Sequence, residues 1–424
     1  MFSEKAQDFL IRHGMAAEAV DPEEYIDRMR EEMEHGLRGE KCSMAMIPTY
    51  LSNDGHLEPG RSAVIIDAGG TNFRSALVSF AGESYETVGL RKLKMPGIET
   101  PCTWGEFISF TADQIQPLLD GADDIGFCFS YSTEITPHMD GRIHKVDKEV
   151  VIEGSEGQLI GSSLKAELER RGISGKCVVI LNDTVAVLLG GAASLDKSRY
   201  SGFAGQVSGT GTNTCVSLPA SRIAKLGMDS DRGMIVNLES GLYDGIGRGD
   251  FDIALDTASQ NPGDKLFEKM TAGVYLGELC RLMLRSAADE GLLSPEGCRK
   301  VRELGSIDSS VIDAWASGEG FENIGSDQED RDFAQTVSLA LFKRSARCMC
   351  INLIALTLLA DAGREKPMCV LAEGSMVDRG RHFRPELIRL LGIHGREKRG
   401  LDIELILCHG STIPGSAAAA LLNR

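Results

Sequence analysis

The sequence has no long hydrophobic run, no pair of cysteines in a CxxC pattern and no apolar leader at its start. Its longest apolar stretch, Cys348 to Ala360, contains Asn352 and is too short to cross a bilayer. Acidic and basic residues interrupt the segment from Met1 to His13, so we expect no secretory signal there. The 11 cysteines are odd in number and scattered, which is typical of reduced thiols. These absences predict a cytoplasmic protein.

Positive charge is also scarce. The chain has 45 basic and 62 acidic residues, and its formal net charge is −17. This balance disfavours nucleic acid and anionic membranes as the main partners. At 424 residues, with 42% hydrophobic and 25% charged residues, the chain has the composition of a soluble globular protein with two domains.

Two common signatures of phosphate-transferring enzymes are missing. The chain contains no GxxxxGK(S/T) segment, so it is not a P-loop enzyme, and no HRD followed by DFG, so it is not a protein kinase. Gly245, Gly247 and Gly249 match a dinucleotide-binding loop only weakly, because no suitable strand precedes them. Any phosphate site must therefore be built from other turns.

A glycine turn between two apolar segments is the first candidate. The run Ala63 to Ile66 predicts a strand buried on both faces, and the segment Phe73 to Phe80 follows at once, which predicts a hairpin. Adjacent glycines let backbone N–H groups converge on an anion, although an ordinary solvated hairpin is the alternative. The candidate phosphate ligands are Gly69, Gly70, Thr71, Asn72 and Arg74, and Asp67 beside them is a candidate Mg²⁺ ligand through water.

The same Gly-Thr-Asn turn recurs in the second half of the chain. Residues 201–207 predict a strand, and Gly209, Thr210, Gly211 and Asn213 lead from it into another apolar stretch. Glycine and asparagine turns are common, so unrelated origins are the alternative explanation. Matching hairpins in the two halves instead predict two similar domains that grip a phosphate chain from both sides of a cleft.

Polar residues at the ends of apolar runs suggest a second ligand. Strands and helices alternate from residue 62 to about 182, which predicts a mixed sheet with helices on its faces. Asp183 follows a buried strand and opens a helix, so it is either a helix cap or the acceptor of a substrate hydroxyl proton in phosphoryl transfer. Similar positions are held by Ser130, Lys145, Asn237, Glu239 and Glu268, whose side chains suit a polyhydroxylated ligand such as a sugar.

This ordered pattern resembles the eukaryotic-type hexokinase family, which includes glucokinases. The segments that carry the resemblance are MIPTY from Met46, DAGGTNFR from Asp67, GFCFS from Gly126, LNDTV from Leu181, GTGTN from Gly209, Asn237 to Glu239, and FEKMTAGVYLGEL from Phe267. The resemblance implies an α/β protein with the actin-like ATPase (ribonuclease H-like) fold, in which two domains with mixed central sheets flanked by helices enclose a sugar and ATP cleft. Following the chain crossings near residues 60, 183 and 411, we place the small domain at 62–182 plus 412–424 and the large domain at 1–61 plus 183–411.

The resemblance also implies roles for single residues. Asp183 corresponds to the catalytic base at the sugar 6-hydroxyl, and Lys145 to the lysine that contacts the sugar and the moving phosphoryl group. The positions of sugar ligands are held by Ser130, His144, Lys145, Asn182, Asp183, Asn213, Glu239 and Glu268. The Mg²⁺ and phosphate contacts correspond to Asp67, Thr71, Arg74 and Thr210, and Gly374, Ser375, Gly410 and Ser411 fall in the adenosine region.

The chain departs from the family pattern at three places. Tyr131 and Ser132 stand where Phe-Pro usually follows the serine, which changes that sugar loop. His144 stands where a threonine normally helps to hold the sugar, and we expect the bulkier side chain to narrow or shift the choice of hexose. The last glycine loop, from Gly410 to Gly415, is slightly longer than the usual one.

We therefore expect an ATP-dependent hexose 6-phosphotransferase that uses Mg²⁺ and ATP, acts as a monomer or homodimer, and has no nucleic-acid or membrane partner. The main alternative is a catalytically degenerate protein of the same fold that senses hexose, which only the altered sugar loop favours. An actin-like filament or chaperone ATPase would instead hydrolyse nucleotide independently of sugar. The related bacterial repressor/kinase family is disfavoured because its zinc-binding cysteine motif is absent.

Overall fold

Two mixed β-sheets lie at the centre of the protein. The computed structural model describes residues 3–82, 84–146 and 150–423. Its strands are β1 Ile47–Pro48, β2 Ser62–Ala68, β3 Asn72–Ala81, β4 Ser84–Lys94, β5 Cys102–Thr103, β6 Asp124–Phe129, β7 Ser132–Ile135, β8 Gly141–Lys145, β9 Ile152–Glu153, β10 Cys177–Leu181, β11 Gly202–Ser208, β12 Thr212–Pro219, β13 Gly233–Asn237, β14 Met368–Glu373 and β15 Ile403–Leu407.

Helices surround and separate these sheets. They are α1 Glu4–Arg12, α2 Pro22–Arg38, α3 Trp104–Ile115, α4 Ile160–Arg170, α5 Asp183–Ala192, α6 Asp250–Ala258, α7 Leu266–Thr271, α8 Gly273–Asp289, α9 Pro295–Glu303, α10 Ser309–Ala316, α11 Gln328–Leu359, α12 Ser375–Asp378, α13 Phe383–Leu390 and α14 Thr412–Leu422. In the part of the chain that the structure describes, none of them combines the length and the apolar character needed to cross a bilayer.

The five-stranded sheet has the order β10-β6-β2-β3-β4. Strand β2 pairs antiparallel with β3 and parallel with β6, so the predicted hairpin is confirmed. Its side chains alternate between two apolar clusters: Val64 and Ile66 pack with residues of α3, whereas Ala63 and Ile65 pack with residues of α14. All four side chains are fully buried, as the continuous apolar run predicts for a strand covered on both faces.

The six-stranded sheet has the order β1-β13-β12-β11-β14-β15 and repeats this arrangement. Strand β11 pairs antiparallel with β12 and parallel with β14, just as β2 pairs with β3 and β6. Each sheet therefore contains a strand that ends in a glycine turn and has a parallel neighbour on its other side. The second predicted hairpin is confirmed as well.

Helices α14 and α5 lie between the two sheets. Helix α14 packs on β2 and β6, and α5 packs on β11 and β14. A Cβ atom added at Gly126 of β6 would lie 1.9 Å from the carbonyl oxygen of Ser416 in α14. Where the two helices meet, a Cβ added at Gly415 would lie 2.0 Å from the carbonyl oxygen of Ala186. The layers are thus in backbone-to-backbone contact, which only glycine permits at these positions.

Several predicted elements have different ends in the structure. In the segment where strands and helices were predicted to alternate, α3 ends as an α-helix at Ile115, and residues 116–121 continue as a 3₁₀-helix because Pro117 lacks an amide hydrogen. The glycine loop expected from Gly410 to Gly415 is shorter than predicted, because α14 already begins at Thr412.

The helical segment that begins at Leu266 is broken at Ala272, which has an extended conformation with φ −82° and ψ 144°. The break separates α7 from α8 and frees the amide of Gly273, which donates to the carbonyl oxygen of Gly209 at 2.8 Å. The amide of Gly273 therefore forms its hydrogen bond with the second glycine turn, whereas in a continuous helix it would pair with a carbonyl oxygen of the preceding helical turn.

Candidate active site

The first glycine turn closes on itself between β2 and β3. The amide of Gly69 donates to the carbonyl oxygen of Asn72 at 3.0 Å, and Asn72 Nδ2 donates to Thr71 Oγ1 at 2.8 Å. Thr71 is exposed, while Gly69, Gly70 and Asn72 are half-buried. Backbone and side-chain donors at a glycine-lined tip are suited to the oxygens of a phosphate group.

Asp67 is the buried carboxylate behind this turn. Its side chain is 7% exposed, and Arg74 Nη1 donates to Asp67 Oδ2 at 3.3 Å. Burial raises the pKa of Asp67 to about 6; Arg74 opposes the rise, whereas the charges of Asp183 and Glu373 add to it. A divalent cation would stabilise the ionised carboxylate, so Asp67 fits the predicted Mg²⁺ contact. Among the described residues, no group of three or more His, Cys, Asp or Glu side chains could hold a metal ion.

The second glycine turn, between β11 and β12, is packed against the start of α12. Gly209 donates its amide to the carbonyl oxygen of Gly211 at 3.0 Å, and Thr210 is exposed at the tip. A Cβ added at Gly209 would lie 3.2 Å from the amide nitrogen of Ser375. Gly374 has φ +124°, and a Cβ there would lie 2.3 Å from a carbonyl oxygen at the end of β11. The predicted phosphate and adenosine segments are therefore adjacent.

Glu373, at the end of β14, joins the two predicted adenosine segments. Its Oε1 accepts a hydrogen bond from the amide of Gly410 and its Oε2 one from the amide of Ser411, both at 3.0 Å. The negative charge of Glu373 also raises the pKa of Asp67, so Glu373 contributes to the electrostatics of the first glycine turn. Sequence reasoning missed Glu373. The available signal was a carboxylate that ends a buried strand directly before a glycine.

Asp183 lies between the carboxylates of the two sheets. Asn182 is the N-cap of α5, and its Oδ1 accepts from the amide of Thr184 at 2.7 Å. Asp183 Oδ1 accepts from the same amide at 2.8 Å, so both residues contribute to the capping that was the alternative prediction. The charge of Asp183 raises the pKa of Asp67 and that of Glu239. The charge of Asp183 therefore affects one carboxylate at the end of each sheet.

A hydrogen-bonded chain of Asn213, Asn237 and Glu239 lies beside Asp183. Asn213 Nδ2 donates to Asn237 Oδ1 at 2.9 Å, and Asn237 Nδ2 donates to Glu239 Oε1 at 2.7 Å. Burial raises the pKa of Glu239, and its hydrogen bond from Asn237 opposes the rise. Glu239 also has φ +55°, a left-handed conformation that residues other than glycine adopt uncommonly.

Glu268 links this polar cluster to the second glycine turn. Its Oε2 accepts a hydrogen bond from the amide of Thr212 at 3.0 Å. It would lie 2.9 Å from a Cβ added at Gly211, and its charge raises the pKa of Glu239. Glu268 therefore forms a hydrogen bond with the end of the second glycine turn, and its charge also affects the polar cluster.

Ser130, His144 and Lys145 occupy the edge of the site. The amide of Ser130 donates to the carbonyl oxygen of Ala68 at 3.3 Å, which holds it beside the first turn. His144 and Lys145 are exposed at the end of β8, and residues 147–149 beyond them lie outside the described ranges. The side-chain hydrogen bonds that Asp183 accepts come from Thr184, so the structure does not bring Lys145 into contact with the predicted base.

A cavity of about 20 Å³ lies between the sheets, and both contribute to its lining. Phe129, Tyr131 and Asn182 line it from the side of the five-stranded sheet, and Asn237 and Glu239 from the other side. This volume holds about one water molecule. The cavity therefore shows that side chains of the two sheets meet here, next to the amide and carboxylate groups of the polar cluster.

Comparison with known proteins agrees with this geometry. Two hexokinase family models match the chain, one over residues 11–193 and one over residues 203–422. A hexokinase of Schistosoma mansoni is 29% identical over 289 residues, which are 65% of this chain and 63% of that protein. Hexokinase-1 of Saccharomyces cerevisiae is 30% identical over 322 residues, which are 71% of this chain and 64% of that protein. The matched part thus spans slightly less than two thirds of each relative.

A solved structure of the hexokinase from Schistosoma mansoni complexed with glucose has the same fold. The TM-score is 0.78 at 22% identity, and the match covers 99% of both chains. The actin-like ATPase fold that the resemblance implied is confirmed. Since the two family models include both glycine turns, Asp183 and the polar cluster, the chain belongs to the hexokinase family.

Proposed function

We propose that the protein is an ATP-dependent hexose kinase that transfers the γ-phosphoryl group of ATP to the 6-hydroxyl of glucose or a related hexose. One observation carries the proposal. Asp183 follows Asn182, which lines the same cavity as Glu239 of the cluster suited to sugar hydroxyls, and the charge of Asp183 adds to the raised pKa of the buried Asp67 behind the phosphate-type turn. A single carboxylate is therefore shared by the two substrate sites that such a transfer requires. Membership of the hexokinase family supports the same activity.

We assign the nucleotide to the two glycine turns and the segments beside them. Gly69, Gly70, Thr71, Asn72 and Arg74 would bind phosphate oxygens from one side, and Gly209, Thr210 and Gly211 from the other. Gly374, Ser375, Gly410 and Ser411 would contact adenosine. Asp67 would hold Mg²⁺ through water, and the bound ion would neutralise charge on the phosphate oxygens.

The transfer itself needs little more than alignment and one proton acceptor. Asp183 accepts the proton of the sugar 6-hydroxyl while that oxygen forms a bond to the γ-phosphorus. The bond from the γ-phosphorus to its bridging oxygen breaks, and ADP leaves with the electron pair. Asn182, Asn213, Glu239 and Glu268 orient the other sugar hydroxyls through their amide and carboxylate groups.

Closure of the cleft would complete the site. We propose that residues 62–182 plus 412–424 form a small domain and residues 1–61 plus 183–411 a large domain, with one sheet in each. Closure would bring the exposed Lys145 and His144, together with Ser130, toward the sugar. It would also exclude water, so that ATP is not hydrolysed in place of the transfer.

A coupled assay of glucose, fructose and mannose phosphorylation tests the proposal. We expect turnover with at least one of these sugars at millimolar concentration, and turnover with none of them would refute it. Asp183→Ala should retain sugar binding and lose most turnover, whereas Asp229→Ala, at an exposed loop, should behave as the wild type. Hexose binding without phosphorylation would favour the sensor alternative, and sugar-independent ATP hydrolysis would favour an actin-like ATPase.

A further inference from the structure

We propose that Tyr131 is a positioning residue that couples occupancy of the sugar cluster to the geometry of the first glycine turn. The proposal rests on the proposed function and concerns how one substrate affects binding of the other. Tyr131 Oη donates a hydrogen bond to the carbonyl oxygen of Gly69 at 3.1 Å. This hydroxyl group is what distinguishes Tyr131 from the phenylalanine usual at its position.

The ring of Tyr131 is held firmly in place. Its side chain is 5% exposed, and its ring centroid lies 4.9 Å from that of Phe129. Thr133 Oγ1 donates to the carbonyl oxygen of Tyr131 at 2.9 Å, and the amide of the preceding Ser130 donates to Ala68. A displacement of the segment from Ser130 to Thr133 therefore moves the hydroxyl with it.

Tyr131 also lines the cavity between the two sheets, together with Asn182 and Glu239. A sugar bound in the polar cluster would therefore lie next to the segment that carries Tyr131. The hydroxyl of the same residue contacts the phosphate-type turn, so Tyr131 adjoins both substrate sites.

The hydrogen bond from Tyr131 restrains the peptide unit between Gly69 and Gly70, which side-chain sterics restrain only weakly. Gly69 and Gly70 lack side chains, so local sterics do not fix the plane of the peptide bond between them. In a trans peptide the C=O of Gly69 and the N–H of Gly70 point in opposite directions. A hydrogen bond that fixes the carbonyl of Gly69 therefore also fixes the direction of the amide of Gly70, a candidate phosphate donor.

Tyr131→Phe removes the hydroxyl, and with it the hydrogen bond to Gly69, and keeps the ring. Calorimetry measures the Kd of Mg²⁺-ADP with and without saturating glucose, and the ratio of the two values is the coupling factor. We expect glucose to tighten nucleotide binding to the wild type and the coupling factor to fall about twofold to tenfold in the variant, the range for one neutral hydrogen bond. The KM for ATP at saturating glucose should rise by a similar factor, with kcat changed less. Tyr85→Phe, on the edge strand β4 of the same sheet, is the matched control.

Two results would overturn the inference: a coupling factor in Tyr131→Phe equal to that of the wild type, or a wild-type nucleotide affinity that does not respond to glucose. Thermal melting of both variants verifies that the fold is retained. Failure of the proposed function is distinct, because the wild type would then form no sugar phosphate, whereas the coupling factor is obtained from binding alone.

Discussion

Replacing Asp67 by asparagine should stabilise the ligand-free protein near neutral pH while impairing its activity. The carboxylate is 7% exposed, and burial raises its pKa from the ordinary 3.8 to about 6. Between these two pH values the folded chain binds more protons at this site than the unfolded chain, so its contribution to stability falls as pH rises. At 1.36 kcal/mol per pKa unit the full loss is about 3 kcal/mol above pH 6. Asparagine is uncharged at every pH and avoids this loss.

Urea denaturation of the wild type and of Asp67→Asn at pH 7.5 and pH 4.5 measures the effect. We expect the variant to be more stable at pH 7.5 by up to about 3 kcal/mol, and the difference to shrink to about 1 kcal/mol at pH 4.5. Asp229→Asn, at an exposed loop, should show no such pH dependence. Mg²⁺-ADP should stabilise the wild type more than the variant. A difference between wild type and Asp67→Asn that is equal at both pH values, or a less stable variant at pH 7.5, would refute the reasoning.

Two further substitutions test other parts of the site and fold. Glu373→Gln should raise the KM for ATP severalfold and leave the KM for hexose nearly unchanged, because an NH2 group, which cannot accept a hydrogen bond, would replace one of the two oxygens that accept from Gly410 and Ser411; equal effects on both constants would contradict this role. Gly415→Ala should destabilise the fold by about 1 to 3 kcal/mol in urea denaturation, since the added methyl group meets the backbone of α5. Gly105→Ala, with open space around its Cβ position, should not destabilise the protein, and a similar loss there would contradict the packing argument.

The sequence was sufficient to predict those features that depend on residues next to each other in the chain. The strand from Ala63 to Ile66 is a continuous apolar run, and the glycines after it leave a hairpin as the simplest connection, as β2 and β3 confirm. Asp183 stands at a strand end next to a helix start, so both its position and its capping contact followed from neighbouring residues. The fold itself required the family resemblance, because periodicity does not determine strand order.

Contacts between distant segments escaped sequence reasoning. The break at Ala272 follows from the hydrogen bond of Gly273 to Gly209, 64 positions earlier in the sequence, and nothing in the helical pattern marks it. Glu373 is identified by its hydrogen bonds from two amides on a separate loop, and the Tyr131 hydroxyl by its hydrogen bond to a carbonyl oxygen in the first glycine turn. Tertiary packing creates each of these contacts, and it overrides local propensity where the two conflict.

The glycine contact between α14 and α5 also determines how the molecule can move. At Gly190 and Gly415 the helices present bare backbone to one another, with no protruding side chains to interlock at the crossing. A change in their crossing angle therefore requires no side chain to switch rotamer at that point. We therefore expect the two sheets to rotate relative to each other at this helix contact, while the packing inside each apolar cluster is unchanged.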